Sequence, residues 1–153
     1  MMDRRLLYRL WRYVPEPLQW AFLWWTNSKF LTGVLALIVD DQRRVLLLRH
    51  DYRRAGQWGL PGGQVKQHER LEDALARELR EETGLIVEVG PIIAASADPK
   101  APRLDLTYHC RVTGGRLALD AEIADARYFA LDELPAGMFA DQVELIERVV
   151  EEL

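Results

Sequence analysis

Apolar residues along this chain first recur at helical spacing and then change to strand-like runs. Leu6, Leu7, Leu10, Trp11 and Val14 repeat every three or four positions, with Arg4, Arg5, Arg9 and Arg12 mostly off that stripe. The spacing predicts an amphipathic helix. Pro15 and Pro17 end it, and Pro17 opens a second helix running to about Thr26. After Asn27-Ser28-Lys29 the period changes. Leu31–Val39 and Val45–Arg49 read as strands around a turn at Asp40-Asp41-Gln42-Arg43. A glycine-rich passage, Gly56-Gln57-Trp58-Gly59-Leu60-Pro61-Gly62-Gly63, leads into a helix over about Arg70–Thr83, with Gly84 as its C-terminal cap. Leu85–Val89 and Ile92–Ser96 are strand-like. Leu104–Val112 and Arg116–Leu119 read as a hairpin about Gly114-Gly115, and Arg127–Ala130 as a last short strand. Val143–Glu152 reads as a terminal helix that buries Val143, Ile146, Val149 and Val150. Strands on both sides of a central helix predict a mixed α/β sandwich rather than a regular βαβ winding.

Size and charge narrow this picture. A chain of 153 residues, 49% of them hydrophobic, is long enough for one well-buried core and too apolar to be mostly disordered. The single cysteine, Cys110, excludes an internal disulfide scaffold, fits a reducing compartment, and on its strand reads as core. The net charge of −4 argues against a nucleic-acid-coating role, which needs a basic footprint. That charge is uneven. Residues 1–29 hold Arg4, Arg5, Arg9, Arg12 and Lys29 against Asp3 and Glu16, a net of +3, which leaves −7 to the remainder. An acidic body that handles an anionic substrate needs a cation between the two.

The first 29 residues also hold four of the five tryptophans: Trp11, Trp20, Trp24 and Trp25. Arg9, Arg12 and Glu16 interrupt any signal-peptide core, and Asn27-Ser28-Lys29 breaks the longest apolar run, so neither a signal nor a spanning helix is expected. A cytoplasmic location is expected. Residues 1–29 are expected as an N-terminal helical extension and 30–153 as the main domain. The extension has two readings: helices packed on the main body or across a homodimer, or a membrane-surface contact.

The central helix carries the candidate chemistry. On a wheel of about 100° per residue, Leu71, Ala74, Leu75 and Leu79 form an inward stripe. Glu78 and Glu82 fall in the same sector, Glu81 on its flank, and Arg70, Asp73, Arg77 and Arg80 on the far side where solvent is expected. Carboxylates at such spacing converge. Burial and the negative end of the helix dipole both oppose them there. A divalent cation would resolve the conflict, and all-oxygen ligation favours Mg²⁺ or Mn²⁺ over zinc. The alternative is a solvated acidic helix end bridged to Arg77 or Arg80.

The residues now carry a resemblance. Gly63, five residues, Glu69, seven residues, then Arg77-Glu78-Leu79-Arg80-Glu81-Glu82-Thr83-Gly84-Leu85 resembles the Nudix box at every fixed position. The lead-in Trp58-Gly59-Leu60-Pro61-Gly62-Gly63 is also similar to that superfamily's. The resemblance implies a Nudix-type α/β/α sandwich with a mixed sheet, preceded here by the helical extension. It implies a MutT-like hydrolase of a nucleoside diphosphate linked to another moiety, such as a nucleotide sugar or ADP-ribose, using Mg²⁺ or Mn²⁺. Glu78 and Glu82 would be the main metal ligands, Glu81 a ligand or base, and the Gly62 carbonyl a backbone ligand. Arg77 would orient Glu78, and Glu69 with Gly63 would support the loop.

The general base is placed either in the box or in the later acidic stretch Asp120-Ala121-Glu122-Ile123-Ala124-Asp125, where Glu122 is the better candidate and Asp125, one methylene short of the usual Glu, the poorer. His50, His68 and His109 lack ligand spacing and read as structural or solvent-facing. Trp58 is placed to stack on a base or to pack. Two other functions stay open: pyrophosphate release from nucleoside triphosphates, and a nucleotide-sensing domain without catalysis. A homodimer is expected, and the partner is a small nucleotide derivative rather than nucleic acid.

Overall fold

A computed structural model describes residues 11–51 and 57–152. The chain divides into two compact units, residues 1–30 and 31–153.

In the first unit, α1 (Glu16–Thr26) starts after Pro15, with a second proline in its first turn. The Gln19 side-chain amide donates to the carbonyls of Trp11 and Val14, and Trp11 meets Phe22 edge to face at 5.3 Å between ring centroids. The Asn27 amide closes the helix on the Leu23 carbonyl. Most of the helix expected over Leu6–Val14 lies outside the described residues.

Among its described residues the second unit holds seven strands and two α-helices: β1 (Leu31–Ile38), β2 (Val45–His50), β3 (Trp58–Gly59), β4 (Gly62–Gln64), α2 (Leu71–Thr83), β5 (Leu85–Ala97), β6 (Arg103–Gly115), β7 (Ile123–Phe129) and α3 (Ala140–Glu152), with a 3₁₀ turn at Leu131–Glu133 before α3. One sheet runs β4-β1-β6-β5. It is mixed, because β1 and β6 lie parallel while the other neighbours are antiparallel. A smaller antiparallel sheet runs β3-β2-β7.

Alternation along β1 and β2 explains the layers. Val34, Ala36, Ile38, Leu46 and Leu48 pack with Ala74, Leu75 and Leu79 of α2. Leu35, Leu37, Val45 and Leu47 face the other way, toward Leu145, Ile146 and Val150 of α3. Strands buried on both faces read as continuous apolar runs, and these do. The result is the α/β/α sandwich with a mixed sheet expected from the sequence.

Several boundaries differ from expectation. The region 85–115 is not two short strands plus a Gly114-Gly115 hairpin. β5 and β6 are long antiparallel partners joined by residues 98–102, and Arg116–Leu119 forms no strand. Gly115 instead takes φ +84° where a Cβ would stand 2.3 Å from the Gly84 carbonyl oxygen, so the glycine serves a close backbone approach. β5 is continuous through Gly90-Pro91 by means of register shifts on both sides of Ile92. β7 begins at Ile123, so part of the expected acidic loop is strand. β3 and β4 were not foreseen within the glycine-rich passage. The last helix begins at Ala140 and buries Gln142 and Leu145 as well as Ile146 and Val150; Val143 and Val149 are half-buried.

Candidate active site

α2 carries its polar residues to one end of the sandwich. Its apolar side is fixed by Ala74, Leu75 and Leu79, each fully buried. Gly84 ends it in the left-handed conformation, φ +70°, with its N–H on the Arg80 carbonyl. With the helix pinned this way, Glu78 faces β4. A Cβ placed on Gly63 would lie 2.4 Å from the Glu78 carboxyl carbon and 2.6 Å from its Oε2. The carboxylate therefore rests directly against bare backbone. Gly62, at φ +144°, is needed for a different reason: a Cβ there would stand 2.0 Å from the Val34 carbonyl oxygen and part β4 from β1.

Arg77 is the hub. Its Nε donates to Glu69 Oε1 at 2.7 Å and its Nη2 to Glu69 Oε2 at 2.9 Å, a two-pronged pairing that suits a guanidinium. Nη1 donates to Glu78 Oε1 at 2.7 Å and to Glu81 Oε2 at 3.2 Å, and Nη2 reaches the Gln64 carbonyl at 3.3 Å. Every N–H of the guanidinium has an acceptor. This corrects the wheel, which placed Arg77 in solvent: its side chain is only 16% exposed, because the long stem lets the head turn back over the helix start. The hydrogen bonds from Arg77, reinforced by the Lys66 backbone N–H, hold the Glu69 carboxyl at about 2 rather than its ordinary 4.5. Bonding to Glu69 and Glu78 raises the Arg77 pKa in turn.

Glu82 lies one turn past Glu78, with a side chain 16% exposed. Its Oε1 is 4.0 Å from Nδ1 of His50, which is buried at the end of β2. The acidic stretch is tied to the same place. The Asp120 N–H bonds the Glu82 carbonyl, the Ala118 N–H bonds the Thr83 carbonyl, and the Asp51 N–H bonds the Glu122 carbonyl. Glu122 is exposed there. Asp125 is elsewhere: it pairs with Arg127 at 2.6 Å, opposite Arg49 in the register. Its neighbour Ala126 faces the α2 side, and strand alternation turns Asp125 from it.

His50 is the residue the sequence reading undervalued. Only the β2–β7 register and the return of the chain to α2 bring it beside Glu82. His68, at φ +62°, and half-buried His109 take no part, and Cys110 is buried core, its thiol pushed up to about 11 by burial. Trp58 packs edge to face on Phe129 at 4.9 Å between centroids, with the guanidinium of Arg49 5.9 Å from its ring centroid.

The donor chemistry of this helix end, carboxylates of Glu78, Glu81 and Glu82 with Glu78 resting on the Gly63 backbone, fits a hard divalent cation. Among the described residues, no three carboxylate, imidazole or thiolate groups are already drawn together as a finished metal centre. Glu78 and Glu81 are both held by Arg77. A cavity of about 220 Å³ lies along Gly62, Gly63, Gln64 and Arg103. Arg103, fixed by Asp105 at 2.7 Å, also lines a cavity of about 590 Å³ that reaches Asp98, Lys100, Phe139 and Gln142.

This geometry has known counterparts. The family model for the NUDIX domain matches residues 29–149, and the chain belongs to that family. It is 32% identical over 111 residues to an ADP-ribose pyrophosphatase of Methanocaldococcus jannaschii, covering 70% of this chain and 66% of that one. It is 34% identical over 121 residues to the 8-oxo-dGDP phosphatase of Homo sapiens, covering 74% of this chain but 37% of the relative. The chain thus spans about two thirds of the first relative's length and little more than a third of the second's. A crystal structure of an ADP-ribose pyrophosphatase from Streptococcus suis superposes with a TM-score of 0.65 at 26% identity, over 78% of this chain and 90% of that one. The relative and the structural neighbour named ADP-ribose pyrophosphatase are enzymes acting on phosphoric anhydrides.

Proposed function

We propose that this Nudix hydrolase splits the diphosphate bridge of a nucleoside diphosphate joined to another group, of the ADP-ribose or nucleotide-sugar kind, with Mg²⁺ or Mn²⁺. The observation that carries this reading is the Arg77-organised acidic end of α2, with Glu78 set against side-chain-free Gly63, which itself lines a cavity of about 220 Å³. The cavity of about 590 Å³ lined by Arg103 suits a nucleoside-sized ligand, while the smaller one of about 220 Å³ along Gly62-Gly63 suits an anhydride. The likeness to two proteins named as ADP-ribose pyrophosphatases supports the substrate class.

Hydrolases of this family generally use divalent metal ions. Glu78 and Glu82 are the proposed main ligands, with Glu81 and the Gly62 carbonyl completing an oxygen set. A cation held there supplies charge neutralisation for the diphosphate and acidifies a bound water. The chain's own residues do the rest. Arg77 fixes the Glu78 carboxylate by a 2.7 Å bond, and Glu69, kept ionised, fixes Arg77. Arg103, which lines both cavities and is paired with Asp105, offers a cation to the substrate. Glu122, exposed on the stretch bonded to Asp51, is proposed to take the proton from the attacking water, with Glu81 as the alternative base.

A turnover screen with Mg²⁺ or Mn²⁺ across ADP-ribose, nucleotide sugars, dinucleoside polyphosphates and nucleoside triphosphates tests this. Cleavage within the bridge gives a nucleoside monophosphate plus a phosphorylated partner. Release of inorganic pyrophosphate from a triphosphate establishes the second reading. Nucleotide binding with no turnover of any class would leave only a sensing role.

A further inference from the structure

The unit at residues 1–30 presents apolar surface of an unusual distribution. α1 holds no buried residue. Leu18, Trp20, Phe22 and Trp24 are each more than half exposed, and Trp25 is 82% exposed. On a wheel of about 100° per residue, Leu18, Phe22 and Trp25 fall together, while Trp20, Trp24 and Leu23 lie across the axis from them. Glu16, Gln19 and Thr26 mark a polar side that Leu23 shares, and the uninterrupted apolar arc, from Trp20 through Trp24 and Trp25 to Phe22, spans about 200°.

A protein partner, a second copy included, meets a helix along a stripe of about 100° or somewhat more. At about 100° it would leave one of Trp20, Trp24 and Trp25 in water. A helix apolar over more than half of its circumference, with none of it buried, suits lipid as well as a core, and eleven residues are too few to cross a bilayer. Among the described residues, no helix is long and apolar enough to do so. What remains is the interfacial layer, where tryptophan is favoured because its ring is apolar and its N–H polar. The charges agree. Lys29 sits over the Trp24 ring at 5.2 Å and Arg12 over the Tyr13 ring at 4.8 Å, so cations and aromatic rings stand side by side. The sequence adds Arg4, Arg5 and Arg9, and residues 1–29 carry +3 against −7 for the rest.

We propose that this N-terminal unit is an interfacial anchor for an anionic lipid surface, with α1 lying in the headgroup layer and the basic residues facing lipid phosphates. The test uses the full chain and two vesicle preparations: phosphatidylcholine alone, and phosphatidylcholine with about one third phosphatidylglycerol. The chain is expected to sediment with the anionic vesicles, with blue-shifted tryptophan emission, and to be released as salt rises from about 0.05 to 0.5 M. Trp24→Glu with Trp25→Glu changes only exposed side chains. It should weaken vesicle binding at least about ten-fold while circular dichroism and turnover of a soluble substrate stay unchanged. No sedimentation with either vesicle overturns the proposal, as does equal binding by the doubly substituted chain. Equal binding to neutral vesicles overturns the anionic preference. A dimer in sedimentation equilibrium that the two substitutions dissociate, without vesicle binding, assigns the surface to a second copy instead.

Discussion

Replacing Gly63 by alanine separates the site from the fold. The backbone there permits an L side chain, since Gly63 is not among the glycines with positive φ. The obstacle is Glu78, whose carboxyl carbon would lie 2.4 Å from the new methyl group. Carbon–carbon contact needs about 3.5–4.0 Å, so the carboxylate must retreat by roughly 1.1–1.6 Å. It is the end of a flexible side chain and can do so, at the cost of its bond to Arg77, worth about 1–2 kcal/mol. For a unit of this size that lowers the melting temperature by less than about 8 °C. Chemistry is far less tolerant. Ligand positions matter to about 0.2 Å, and a misplacement of about 1 Å costs on the order of 100-fold in rate. Gly63→Ala is thus expected to fold, to lose about 100-fold in metal-dependent hydrolysis, and to need more Mg²⁺ for half-maximal rate. Gly62→Ala is the contrast. Its φ of +144° and the 2.0 Å approach to the Val34 carbonyl set the methyl group against backbone, and its melting temperature should fall by more than about 10 °C. The two are checked by thermal melts and initial rates. A folded Gly63→Ala protein with wild-type turnover would refute the placement of Glu78 as a ligand. Unfolding as severe as that of Gly62→Ala would refute the division between site and fold.

Three further outcomes are expected. Glu82→Gln should keep the fold and lose more than about 100-fold in turnover, with weaker Mn²⁺ binding by calorimetry. Glu69, held at about 2 against an ordinary 4.5, contributes stability that is fully present above about 4.5 and is lost as pH falls through 2. Denaturant midpoints between those pH values should show that loss in the wild type, and Glu69→Gln should flatten it. Leu79→Ala, at a fully buried site of α2, should cost about 2–5 kcal/mol by urea unfolding.

What the sequence disclosed followed from density of signal. α2 is legible because its apolar stripe, its carboxylates and its terminal Gly84 all point to the same helix, and the box spans it. β1 and β2 were legible because both their faces are buried. β3 and β4 span two and three residues, too short for any periodicity to register. The Gly114-Gly115 pair misled because close approach and tight turn both select glycine, and only the partner strand decides between them. The true turn lies at residues 98–102, where Asp98 accepts the Lys100 N–H at 2.7 Å. Arg77 was misplaced by a wheel that locates Cβ atoms and not the ends of long side chains. The nearness of His50 to Glu82 depends on pairing β2 with β7, a contact remote in sequence and invisible to local pattern.

The borders of the larger sheet carry a consequence of their own. One border is β4, only three residues long. The other is β5, thirteen residues long, which would be a ready template for another chain were it regular. Pro91 removes a backbone donor near its middle, and register shifts flank Ile92 on both sides. An incoming strand would find its hydrogen-bonding ladder broken within a few residues from either direction. Edge-to-edge extension through this sheet is thereby disfavoured.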